Sequence, residues 1–185
     1  MHKKPLTILV DMDDTLINLC EEWVNILNNK YSTNTALVDI KEWDITKAFP
    51  TLSVEEIFSP LNSEELWDLV QPLDGAVKYL KKLIDDGHNV FIVTATHPAN
   101  SDIKFKRALF RHFPFIPYDH VIIAYNKQMI KADVLIDDAP HNLVGGEYYK
   151  ILMTAPHNIN YSNSEEDIIR VGSWEQAYDV INKIA

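Results

Sequence analysis

Leu6-Thr7-Ile8-Leu9-Val10-Asp11-Met12-Asp13-Asp14-Thr15 decides the reading of this chain. A short apolar run that stops abruptly at an acid is the signature of a buried parallel strand ending in a polar loop. Four further runs have the same character: Val90 to Thr94, His120 to Ala124, Val134 to Ile136 and Lys150 to Thr154. Amphipathic stretches separate them, so the expected fold class is α/β, a Rossmann-like parallel sheet flanked by helices.

The helices carry their own punctuation. Asp74 is expected to cap a helix that buries Val77, Leu80, Leu83 and Ile84 and ends at Gly87. Ser101 is expected to open another, with Phe105 and Leu109 on one face and an end near Pro114. Ser173-Trp174-Glu175-Gln176 reads as a capping box before a helix that buries Trp174, Tyr178 and Ile181.

Between the first two strands lies a long stretch without a strand. Leu16, Leu19, Cys20, Trp23, Leu27 and Tyr31 follow helical spacing, and Ser53-Val54-Glu55-Glu56 is a second capping box. The expected organisation is an α/β core of residues 1–16 and 73–185, with a small helical cap of residues 17–72 at the carboxyl edge of the sheet. Ligands of open α/β sheets bind at that edge.

Composition bounds the rest. The chain has 185 residues, 46% of them apolar and 24% charged, enough for one domain with a real core. The formal net charge is −10, so no broad basic footprint for duplex nucleic acid is expected. One cysteine, Cys20, excludes an intramolecular disulfide and fits a reduced, cytoplasmic setting. Met1-His2-Lys3-Lys4-Pro5 is basic, but the apolar run after it is too short for a signal peptide, and no segment is long enough to span a membrane. The oligomeric state is open, a homodimer included.

Polar residues sit at the ends of the expected strands: Asp11 and Asp13 after the first, Thr94 closing the second, Lys127 after the third, Asp137 and Asp138 after the fourth. Any one has a bland reading, whether solvated acids, a β-branched strand residue or a helix cap before Ala139-Pro140. Together, on one edge of a parallel sheet, they read as a site. Four clustered carboxylates repel one another, and a hard divalent cation resolves this. Mg²⁺ suits a few carboxylates completed by water and a substrate phosphate.

The roles follow from that chemistry. Asp11 is the expected nucleophile, forming an acyl phosphate, and Asp13 the general acid and base. Thr94 and Lys127 are expected to hold the phosphoryl oxygens. The metal is expected on Asp11, the main-chain carbonyl of Asp13 and Asp137, with Asp138 behind them. Lys131 competes with Lys127 for the catalytic place but lies too close to the fourth strand.

At these positions the chain resembles the haloacid dehalogenase-like phosphatases. Asp11-Met12-Asp13-Asp14-Thr15 is similar to their first motif, Thr94 to the second, Lys127 to the third and Asp137-Asp138 to the fourth. Val134-Leu135-Ile136-Asp137-Asp138, Ile151 to Asn158 and Ser173-Trp174 further resemble the 5'(3')-deoxyribonucleotidases. The resemblance implies a Rossmann-like core, a helical cap after the first motif, and hydrolysis of nucleoside monophosphates. The chain departs from the animal members at three places: Asp14 stands where they have glycine, Ala95 where they have serine, and Tyr125 where they have arginine.

Two cap aromatics, Trp43 and Phe49, are expected to face the site and stack on a base, because neither fits a helical stripe. A phosphosugar is the competing substrate within the same class. A phospho-accepting receiver module is a competing class, but its lysine follows the last strand, whereas Lys127 precedes the strand that ends in Asp137. A catalytically dead binding protein is disfavoured by intact Asp11 and Asp13.

Overall fold

The computed structural model describes residues 4–162 and 167–185; Met1, His2 and Lys3 of the basic leader lie outside them. Six strands form one parallel sheet: β1 (Thr7–Val10), β2 (Asn89–Thr94), β3 (Val121–Ile123), β4 (Val134–Asp137), β5 (Tyr149–Met153) and β6 (Ile168–Val171). Their spatial order is β3-β2-β1-β4-β5-β6. The chain therefore winds outward in both directions from β1, and the switch point lies between β1 and β4. In register, Val10 stands opposite Ile92 on one side and Ile136 on the other. Asp11 and Asp137, one residue further on, thus emerge side by side.

The strands alternate between two apolar layers, as period 2 requires. Ile8, Val10, Val90, Ile92, Val134 and Ile136 face the larger core, packed by α4 (Ala76–Asp85), α8 (Trp174–Ile184) and the Phe105–Phe113 region. Leu9, Val93, Leu135 and Leu152 face the opposite layer with Tyr148 and with Leu143 of the short helix α7 (Pro140–Leu143).

Three helices, α1 (Leu19–Tyr31), α2 (Val54–Phe58) and α3 (Glu64–Leu69), lie between Ile17 and Pro72. The entry and exit of this insertion pair with each other: Asn18 N donates to Gln71 O at 3.0 Å, and Leu73 N to Leu16 O at 2.9 Å. The insertion has a small core of its own around Cys20, Val24, Leu27, Ile45, Phe49 and Ile57. Leu66, Trp67 and Val70, with Leu19 and Ile26 of α1, instead join the main core, and α3 packs directly on the helical run that follows β2.

Several expectations are corrected. β6 is a sixth strand; only Ile168 and Val171 of its four side chains are buried, which hides it among polar neighbours at the sheet edge. Helix α4 begins after Gly75, whose φ of +77° suits glycine, and its stripe is Ala76, Tyr79, Leu80 and Leu83. Val77 faces outward, because Tyr79 packs on Tyr178 and sets the helix rotation.

The next helix starts at Pro98, not Ser101. His97 is its cap, accepting from Ala99 N, and proline at the first helical position needs no partner for a missing N–H. It runs as α5 (Pro98–Lys104), a π turn (Phe105–Leu109) and α6 (Phe110–His112). At α8, Ser173 accepts from Gln176 N, but the Gln176 side chain accepts from Gly172 N, so the capping box is only half formed.

Candidate active site

The β1–α1 loop is short and tightly tied. Asp11 N donates to Ile136 O at 2.9 Å, Asp14 N to Ile17 O at 2.8 Å, and both Leu16 N and Ile17 N to Met12 O. Trp174 Nε1 donates to Thr15 O at 2.8 Å from below. A loop so closed has little freedom, which fixes where its acids point.

Lys127 stands at the centre of the floor, 1% exposed. Its ammonium bonds Asp11 Oδ1 and lies 2.6 Å from Asp137 Oδ2. Burial alone would lower its pKa; the paired carboxylates of Asp11 and Asp137 outweigh that and hold it above the ordinary lysine value. Lys131, the rival, is exposed. Asp137 is oriented by Ala139 N at 2.9 Å and by the Asn142 amide at 3.1 and 3.2 Å. Asp138 Oδ1 accepts from Thr15 Oγ1 at 3.3 Å, and its main-chain carbonyl from Asn158 Nδ2 at 2.7 Å.

Burial first, and then the neighbouring carboxylates, push Asp11 well above the usual carboxylate range, with Lys127 opposing. Burial raises Asp137 likewise. Oxygen atoms of Asp11, Asp137 and Asp138 come within 4.8 Å of one another, all buried. This set of hard, anionic donors, short of compensating charge, fits a small divalent cation. The carboxylate of Asp13 is not in that triangle. It turns to Lys104.

Lys104 is the residue that sequence reasoning missed. Its Nζ lies 2.6 Å from Asp13 Oδ2 and 2.9 Å from Thr94 Oγ1. Lys127 and Lys131 stand beside expected strands, whereas a lysine inside a helix ordinarily reads as solvated. The available signal was the basic stripe Lys104, Arg107 and Arg111, spaced to share one helix face. Arg107 bonds Asp68 at 2.7 Å and also Glu64, and Arg111 donates to Asp68 O, all on or beside α3.

Above this floor is a cavity of about 490 Å³, predominantly apolar, whose walls include Trp23, Trp43, Phe58, Trp67 and Tyr125. Asp13, Asp14, Ala95 and Lys104 face it from the sheet side. Trp43 is 57% exposed and meets the rings of His141 and His157 edge-on, at 4.9 and 5.4 Å. Phe49 does not reach the cavity. It is 1% exposed in the insertion's own core, and the expectation that it stacks on a base is corrected: an aromatic outside a helical stripe was filling an irregular core. Trp23 and Phe58 take wall positions in its place and pack edge-to-face at 5.2 Å. His97, also on the wall, is engaged as the α5 cap.

Asp14 adopts φ +52°, in the left-handed region that favours glycine. Its Oδ1 accepts from Cys20 N at 2.9 Å, so it caps α1. Burial, then Asp138, raises its pKa to about 8. A carboxyl raised on folding contributes stability below its unfolded value near 4, and that contribution is lost as pH rises toward 8. Asp14→Asn keeps the left-handed tolerance and the cap while removing the titration. Between pH 5 and 8, in EDTA, the variant is expected to gain about 1–2 kcal/mol relative to wild type, a reduced figure because Asp14 is only half-buried. Urea unfolding at the two pH values measures it, and parallel pH dependence of the two proteins would refute it.

The architecture is that of a haloacid dehalogenase-like hydrolase. It matches such a protein from Streptococcus pneumoniae with a TM-score of 0.63 at 13% identity, over 96% of this chain and 98% of that one. It matches a HAD-hydrolase from Bacillus subtilis, solved bound to magnesium, with a TM-score of 0.59 at 13% identity, over 97% and 100%. The family model described as 5' nucleotidase, deoxy (pyrimidine), cytosolic type C matches residues 4–185, and the chain belongs to that family of phosphatases. It is 36% identical over 170 residues to the 5'(3')-deoxyribonucleotidase of Bacillus subtilis (strain 168), covering 91% of this chain and 94% of that protein. It is 33% identical over 174 residues to the enzyme of the same name from Clostridium acetobutylicum, covering 92% of each. Among the described residues no helix is long and apolar enough to cross a membrane.

Proposed function

We propose that the chain is a magnesium-dependent phosphomonoesterase that hydrolyses deoxyribonucleoside 5'-monophosphates through an aspartyl phosphate on Asp11. The observation that carries this reading is the meeting of an acid-and-lysine floor with an aromatic-walled cavity at the switch point of the sheet. Residues 17–72 act as a cap over a core of residues 1–16 and 73–185. A flat base has several ring faces to choose from there, Trp43 among them, whereas a sugar would need more hydrogen-bonding groups than this wall offers.

Asp11 attacks phosphorus, and the bond from phosphorus to the ester oxygen breaks. Asp13 gives its proton to that oxygen, then takes one from the water that attacks the acyl phosphate and releases inorganic phosphate. Thr94 accepts from Lys104 through its oxygen, which leaves its hydroxyl hydrogen free for a phosphate oxygen. Lys127 supplies fixed positive charge to the phosphoryl group. A magnesium ion on Asp11, the Asp13 carbonyl and Asp137, with Asp138 behind, would neutralise charge on the phosphate. Ala95, on the cavity wall, offers the phosphate only backbone. The buried, unpaired Cys20 suits a reducing cytoplasm.

A phosphate-release assay across deoxynucleotides, ribonucleotides and phosphosugars, with and without EDTA, tests the reading. Turnover of deoxynucleotides that stops with EDTA and returns with Mg²⁺ is expected. Preference for phosphosugars would overturn the substrate, and undiminished activity in EDTA would overturn the metal.

A further inference from the structure

We infer that Lys104 is a positioning residue that pins one oxygen of Asp13 and so presents the other to the leaving group, tying that alignment to the seating of the cap. The inference rests on the reading of Asp13 as the general acid.

The geometry is specific. Asp13 Oδ2 is held by the Lys104 ammonium at 2.6 Å. Asp13 Oδ1 is buried and has no hydrogen-bond partner. With Oδ2 taken by the ammonium, Oδ1 is the oxygen left to exchange a proton with the leaving group. Thr94 Oγ1, 2.9 Å from the same Nζ, receives a second of its three donors.

The third direction of the ammonium faces the cap. Nζ lies over the Trp67 ring, 5.6 Å from its centroid, within cation–π range. Trp67 belongs to α3, and its own Nε1 donates to Leu61 O at 3.0 Å, so the ring is fixed from the cap side. One and two turns further along the same helical run, Arg107 and Arg111 hold Asp68, the neighbour of Trp67. The π turn beginning at Phe105 follows Lys104 directly; such turns recur where a helix must aim a functional side chain. Lys104 is 1% exposed, and a buried ammonium is costly unless its partners matter.

The role is tested by leaving-group dependence. A nucleoside alkoxide needs a proton as its bond to phosphorus breaks; p-nitrophenolate leaves without one. The value of kcat/KM reports events up to that departure. For Lys104→Met, kcat/KM on a deoxynucleoside monophosphate is expected to fall about 30- to 100-fold, and on p-nitrophenyl phosphate by less than about threefold. Equal falls on both esters, or no fall on either, would overturn the role, since a purely structural lysine or a phosphate-binding one affects both alike. Should the Met variant not fold, Lys104→Gln, polar but one bond shorter, is expected to show the same split. Failure of the underlying reading is separable through Asp13→Asn, which must itself lower kcat/KM on the nucleotide far more than on p-nitrophenyl phosphate: an unsplit response there overturns Asp13 as the acid and the inference with it. With the Asp13→Asn split present, an unsplit response of the Lys104 variants removes Lys104 alone.

Discussion

Asp11→Asn is expected to lower kcat for phosphate release by about 10⁴-fold or more while leaving the protein at least as stable as wild type. The two halves of this expectation have different causes. The amide nitrogen and the less basic amide oxygen of Asn cannot form the acyl phosphate, and loss of a nucleophile typically removes most of the rate enhancement that its partners share. The change is close to isosteric in a site that is only 5% exposed, so no cavity is opened.

Stability is governed by charge. Asp11 stands among Asp13, Asp137 and Asp138, and burial with those neighbours raises its pKa. Removing its charge relieves repulsion, while Lys127 keeps Asp137 as a partner at 2.6 Å. Steady-state phosphate release gives the first quantity and thermal unfolding in EDTA the second. An acid-quenched wild-type reaction should carry phosphate on the peptide containing Asp11, and the variant none. Activity within about tenfold of wild type would eliminate Asp11 as the nucleophile.

What could be read from the chain follows a physical division. Residues that end buried strands are legible, because a strand is a short apolar run and its boundary is abrupt. Asp11, Thr94, Asp137 and Asp138 all lie at such boundaries, and parallel topology brings them to one edge. Lys127 follows β3 through only a few loop residues, so its position could be anticipated too. Lys104, Asn142 and Asn158 were not legible. Lys104 sits within a helical run, where charged residues ordinarily face water; its stripe with Arg107 and Arg111 marks a basic face, and the tertiary approach of Asp13 and Trp67 shows what that lysine reaches. Asn142 and Asn158 orient Asp137 and the Asp138 backbone from segments with no strong periodicity. Phe49 shows the opposite error: local irregularity was taken for exposure, and a second small core inside the insertion was the actual cause.

Lys127→Met should separate the stabilising and catalytic uses of a buried charge. In wild type the ammonium lies between Asp11 and Asp137, all three almost wholly removed from water. Methionine nearly matches the volume but leaves two buried carboxylates without their cation. Breaking a buried pair from one side ordinarily costs about 3–5 kcal/mol, and that loss is expected in EDTA. Excess Mg²⁺ should recover more stability in the variant than in wild type, because the ion then meets carboxylates that no ammonium neutralises.

The deficit should also depend on pH. Asp11 and Asp137 already have native pKa values raised above their unfolded ones, and removing Lys127 raises them further. Such groups hold protons in the native state that the unfolded chain has released, so stability falls as pH rises. The variant is thus expected to be closest to wild type near pH 5 and furthest from it near pH 8. Urea unfolding with EDTA or Mg²⁺ at both pH values measures all three effects. Activity should not follow stability back: even in saturating Mg²⁺, kcat is expected to remain about 10²- to 10³-fold low, because the fixed charge on the transferring phosphoryl group is gone. A variant as stable as wild type in EDTA at pH 8 would mean that the Asp11–Lys127–Asp137 contact contributes nothing, and recovery of kcat by Mg²⁺ would reduce Lys127 to a placeholder for the metal.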